Sequence, residues 1–147
     1  MELTDDARRV LPLAREEAGR FGLNYIGTEH LLVAIVREGD GLGAKVLANL
    51  GVDLNKVRST VEFIVGRGPR TVTGDFGLSS RAQHVIMLAV DEARGLNHDR
   101  VGTEHLLLAL LREKQGVAAG VLQGLGVSPT RARDEVVRMA GDAPESS

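Results

Sequence analysis

Gly27-Thr28-Glu29-His30-Leu31-Leu32 is repeated residue for residue by Gly102-Thr103-Glu104-His105-Leu106-Leu107. The offset is 75 positions (103 − 28 = 75). The same offset carries Arg37-Glu38 onto Arg112-Glu113, and Leu50-Gly51-Val52 onto Leu125-Gly126-Val127. No insertion or deletion separates these anchors. A repeat without slippage over this length means one structural unit used twice.

Outward from the first copy, the pattern is helical. Thr4 reads as an N-cap, with Asp5 and Asp6 in the first turn, where the helix dipole favours acids. Val10, Leu11, Leu13, Ala14 and Ala18 follow at helical spacing, with Pro12 expected to kink this helix or shift its start. Thr28 is expected to cap the second helix. A third runs to Leu50 with Gly51 just beyond it, and Asp53 caps a fourth that ends at Gly66. Residues 67–78, with Gly68, Pro69, Gly74 and Gly77, form a linker. Ser79 then replaces Thr4 as cap, Thr103 is expected to cap the sixth helix, and Ser128-Pro129 starts the eighth. No stretch alternates as a strand does. The expected fold is all-α: eight helices as two four-helix repeats, 3–66 and 79–141, related by a pseudo-twofold and sharing one core. The polar segment 142–147 is expected to be a fraying tail.

The bulk composition narrows the function. The chain has 147 residues, 43% hydrophobic and 26% charged, which suits one compact unit. Aromatics are only 3%, so the core must be aliphatic. A net charge of −2 supplies no basic field for nucleic acid. Without cysteine there is no disulfide and no thiolate chemistry. The acidic start Met1-Glu2-Leu3-Thr4-Asp5-Asp6 is unlike a signal peptide, and no apolar run approaches a membrane span. A cytoplasmic protein with no membrane or nucleic-acid partner is expected.

Catalytic patterns are missing. There is no GxxxxGK[ST] phosphate loop and no HExxH, and Ser79-Ser80 lacks a nucleophile elbow. His30, His84, His98 and His105 show no ligand-cluster spacing, so no metal and no cofactor are expected. Glu29 and Glu104 admit two readings. Each follows a threonine at a helix start, where a carboxylate gains from the dipole. Alternatively, each carboxylate holds a guanidinium, while a hydroxyl-capped helix start, Thr4 or Ser79, holds an anion. Arg8-Arg9, Arg131, Arg133 and Arg138 read as solvated helix faces.

The doubled unit resembles the N-terminal domain of the Clp/Hsp100 chaperone ATPases, most closely the ClpC type. Thr4-Asp5-Asp6-Ala7-Arg8, Asn24-Tyr25-Ile26-Gly27-Thr28-Glu29-His30, Arg37-Glu38-Gly39-Asp40-Gly41 and the run from Val101 to Glu113 carry the likeness, over about residues 3 to 141. The resemblance implies a non-enzymatic domain that docks protein substrates and adaptor proteins for an unfoldase working with the ClpP peptidase. In the ClpC type it also implies pockets for phosphorylated arginine. By residue match these would use Thr4 with Glu29 in the first half, and Ser79 with Glu104 in the second.

The pattern departs from the family at three points. Asp6 stands where the family commonly has a basic residue. Ser79-Ser80-Arg81 replaces Thr-Pro-Arg. The ATPase modules are absent, so a domain of a larger Clp protein and a stand-alone adaptor, decoy or regulator of the Clp machine both stay open. Asp5 and Asp6 oppose a phosphate in the first half, whereas Arg81 adds a charge-assisted donor in the second. The Ser79, Arg81 and Glu104 half is therefore expected to be the stronger phosphoarginine site.

Overall fold

A computed structural model describes residues 1–68 and 70–140. Pro69 of the expected linker, and Gly141 with the expected tail 142–147, lie outside the described residues. Among the described residues there are eight α-helices: α1 (Asp5–Arg20), α2 (Thr28–Glu38), α3 (Leu42–Asn49), α4 (Leu54–Val65), α5 (Ser80–Gly95), α6 (Thr103–Arg112), α7 (Val117–Gly124) and α8 (Pro129–Ala140). Two dipeptides, β1 (Glu2–Leu3) and β2 (Arg100–Val101), pair in parallel. These strands were not expected, because two residues are too few to show alternation.

The local caps follow their sequence signals. Thr4 Oγ1 accepts the Ala7 N–H at 3.2 Å, and Ser79 Oγ accepts the Ala82 N–H at 3.1 Å. Asp53 and Ser128 cap α4 and α8 in the same way. Helix α1 runs through Pro12 with its start unshifted at Thr4, and the proline lies on the exposed face.

α2 and α6 form the centre. Leu31 to Ile35 are fully buried, and Leu106 to Leu111 are at most 3% exposed. An aliphatic helix apolar on nearly every side must be surrounded. α1 packs on α2, and α5 on α6. The short helices cross over: α3 packs on α6 and α8, and α7 on α2 and α4. One contiguous cluster of buried side chains draws on all eight helices.

The start of each half is also exchanged. Leu3 pairs with Val101, and Leu78 bridges Ile26 at the equivalent place (78 − 3 = 101 − 26 = 75). The Thr4 N–H donates to the Val101 carbonyl and the Ser79 N–H to that of Ile26, both at 2.8 Å. The first turn of α1 is thereby held beside that of α6, and the first turn of α5 beside that of α2.

Candidate functional site: the crossed helix starts

Each residue of the repeated hexapeptide has a separate task. Gly27, not Thr28, is the N-cap of α2, and Gly102, not Thr103, is the N-cap of α6. Gly27 is needed for room rather than for its backbone angles: a Cβ there would lie 2.5 Å from Glu29 Oε1. His30 Nδ1 accepts the Gly27 N–H at 2.9 Å, and His105 Nδ1 accepts the Gly102 N–H at 2.8 Å. This returns one orphan donor per helix start. The threonines serve the opposite half. Thr28 Oγ1 accepts the Ala118 N–H at 3.2 Å, at the start of α7, and Thr103 Oγ1 accepts the Gly43 N–H at 2.8 Å, at the start of α3. The leucines fill the core.

The glutamates remain. Glu29 folds back so that its carboxylate accepts its own backbone N–H, and Glu104 does the same. Burial pushes both carboxyls up from the ordinary value, and these hydrogen bonds oppose the rise. The nearby Asp6 charge raises Glu104 further. Only 7% of Glu29 is exposed, and it lines a pocket of about 590 Å³. Ser79, Ser80, Arg81 and His84 from the start of α5 line the same pocket. Glu113, Gln115 and the exposed Tyr25 complete the rim.

The expected grouping of the site residues by half is therefore corrected. Glu29 shares its pocket with Ser79 and Arg81, not with Thr4. Glu104 lies on the side of Asp6 and Thr4, not of Ser79. The parallel pairings are the cause, since they send each half's leading helix to the other half's central helix.

Charge distinguishes the two places. In the Glu29 pocket, Arg81 Nη1 donates to Gln115 Oε1 at 2.9 Å and lies 3.6 Å from Glu113 Oε1. His84 Nδ1 lies 2.7 Å from Glu113 Oε2. That contact, chiefly, holds the Glu113 carboxyl below the usual range. Around Glu104 the 75-residue offset replaces Arg81 by Asp6 and His84 by Arg9. Arg9 is already paired with Asp6 at 2.6 Å and Glu38 at 3.0 Å.

His84 and Glu113 were missed as site residues, although the repeat marks them. Arg9 and Glu38 are 29 positions apart, as are His84 and Glu113 (38 − 9 = 113 − 84 = 29). A basic–acidic pair kept at one spacing in both halves signals a contact. Arg133 lies on an exposed helix face, as expected, and also reaches inward. Its Nη1 lies 2.9 Å from Oε1 of the buried Glu92, close enough for an ion pair although off the line of a hydrogen bond.

His98, Glu104 and His105 bring ligand-type atoms within 4.8 Å of one another. Their hydrogen bonds do not suit a cation. His105 Nδ1 takes the Gly102 proton donor, so its Nε2 carries the ring proton and donates to His98 Nδ1, 2.7 Å away. A metal on His105 Nε2 would require an imidazolate or the loss of the cap.

A doubled, crossed four-helix unit with paired helix-start sites defines the class of protein. The chain belongs to the Clp repeat (R) N-terminal domain family, whose sequence pattern matches residues 2–80 and again 77–147. It is 47% identical over 143 residues to the chloroplastic chaperone protein ClpC of Pisum sativum, spanning 97% of this chain but 16% of that relative. It is 46% identical over 144 residues to a ClpA homolog of Guillardia theta, described as an ATP-binding subunit of the ATP-dependent Clp protease. The match takes in 98% of this chain and 18% of that one. The fold is also that of the ClpD N-terminal domain from Arabidopsis thaliana, with a TM-score of 0.78 at 21% identity, covering 95% of this chain and 96% of that one. The Hsp104 N-terminal domain of Candida albicans matches at a TM-score of 0.77 and 17% identity, covering 97% and 94%. Among the described residues no helix is long and apolar enough to cross a membrane. The ClpC relative is described as chloroplastic, so a cytoplasmic location is not supported by this likeness.

Proposed function

We propose that this chain is a non-enzymatic docking module that presents proteins to a Clp-type ATPase, and that the Glu29 pocket recognises phosphorylated arginine. The carrying observation is the juxtaposition of unlike groups in one pocket. A buried carboxylate, Glu29, lines one pocket with a serine-capped helix start, Arg81 and His84. A phosphorylated guanidinium is cationic at one end and anionic at the other. Glu29 suits the guanidinium, whose fork pairs with a carboxylate. The first turn of α5 suits the phosphate: its amides and dipole favour an anion, and Arg81 adds a charge-assisted donor. The Ser79 oxygen already accepts the Ala82 N–H, which leaves its hydroxyl proton to donate.

Calorimetric titration of the intact chain with phosphoarginine tests this. Binding by the parent, lost in Glu29→Ala, is the expected result. No heat of binding from the folded parent would overturn the proposal.

A further inference from the structure

We propose that Glu113 is a built-in competitor for the cationic side of the Glu29 pocket, and that its carboxylate sets how strongly the pocket takes a multiply charged anion. This rests on the phosphoarginine reading of that pocket.

Three observations carry it. First, Glu113 reaches both basic side chains of the pocket at once, with one oxygen 2.7 Å from His84 Nδ1 and the other 3.6 Å from Arg81 Nη1. An incoming phosphate needs the same two side chains. Second, the carboxylate is the more confined partner. Its side chain is 12% exposed, against 48% for Arg81 and 54% for His84, so the basic side chains have more room to turn than the acid. Third, Glu113 is the C-cap of α6, where the helix dipole disfavours a carboxylate.

The other half shows what a purely structural version looks like. Glu38, at the matching position, accepts the Asp40 and Gly41 N–H groups at 3.2 and 2.8 Å. It also pairs with Arg9, which Asp6 holds as well. Glu113 keeps the matching backbone hydrogen bond, from Gln115, but its carboxylate also faces Arg81 and His84 across an open pocket.

Charge counting gives the direction. Counting the guanidinium and the carboxylates alone, Arg81 stands against Glu29 and Glu113, an excess of one negative charge. Removing the Glu113 charge cancels that excess and weakens its hold on both donors. Phosphoarginine should then bind about tenfold tighter, the Coulomb scale for one partly solvated charge. Unphosphorylated arginine should gain nothing, since it lacks the anion.

The experiment is calorimetric titration of phosphoarginine and of arginine into the intact parent, Glu113→Gln and Glu38→Gln, with thermal melts of each. Tighter phosphoarginine binding by Glu113→Gln, without a matching gain for arginine or in Glu38→Gln, is the expected result. If the parent binds and Glu113→Gln binds equally or more weakly, this inference is overturned while the pocket's ligand stands. If neither binds, both fall. Glu113→Ser must show the same gain if the glutamine variant loses its cooperative melt.

Discussion

The hydroxyl of Thr28 accepts the backbone N–H of Ala118, a residue 90 positions away at the start of α7. Thr103 does the same for Gly43 of α3. The repeated hexapeptide thus stitches each half to the other. Thr28 is buried, so loss of its oxygen would leave the Ala118 donor without a partner or water. Thr28→Val should cost about 1–2 kcal/mol, and Thr28→Ser far less. Denaturant melts of the two variants would measure this, and equal losses would mean that the hydroxyl contributes nothing.

Exchange of elements also predicts how the chain unfolds. We propose that the repeats are one cooperative unit. α3 packs on α6 and α8, so residues 1–68 alone would leave one face of α3 uncovered. Such a fragment should give a broad melt or self-associate. A sharp, concentration-independent transition near that of the whole chain would contradict a shared core.

Glu17 is wholly buried and pairs with Arg37 at 3.2 Å and Arg58 at 2.7 Å. Glu92 repeats the arrangement with Arg112 at 3.0 Å and Arg133 at 2.9 Å. Removing Glu17 takes a partner from both of its arginines. Arg37 keeps Glu16 at 2.9 Å and both arginines reach solvent, so Glu17→Ala should lose about 1–3 kcal/mol. A chemical denaturation midpoint within error of the parent's would show the cluster to be dispensable.

Acid should weaken the fold through His30 and His105, both lowered to about 4 by burial. Their Nδ1 atoms accept backbone N–H groups, which only the neutral rings permit. Between the ordinary histidine value of about 6.5 and 4, the unfolded chain takes up protons that the folded chain refuses. Stability therefore falls as pH falls through that window, by on the order of 3 kcal/mol per ring at its lower end. Glu29 and Glu104 are shifted the other way, so their protonation returns part of the loss in the carboxylate range. His30→Gln keeps an acceptor at this position and removes the titration. Its Tm should fall less steeply than the parent's from pH 7 to 5, and parallel slopes would assign the acid sensitivity elsewhere.

What was legible in the sequence was local. Thr4, Ser79, Asp53 and Ser128 were readable as caps because each bonds a backbone N–H three residues on. Thr28 was not, since its partner is across the molecule and Gly27 with His30 does the local capping. The glutamates were legible as site candidates, but not their partners: the pairings that cross the halves are two residues long at most and have no periodicity to read. Glu17 looked like one more acid on an amphipathic helix. Only the recurrence of its spacing to two arginines, 20 and 41 positions on, in Glu92, Arg112 and Arg133 hinted at burial.

The crossed assignment reverses the ranking drawn from the repeats taken separately. Arg81 and His84 belong with Glu29, while Asp6 belongs with Glu104. The most direct test is calorimetric titration of phosphoarginine into Glu29→Ala and Glu104→Ala, each checked for an intact melt. Glu29→Ala should lose the tighter site, by at least tenfold in Kd, while Glu104→Ala binds nearly as the parent does. Loss of the tighter site in Glu104→Ala with binding retained in Glu29→Ala would contradict the account.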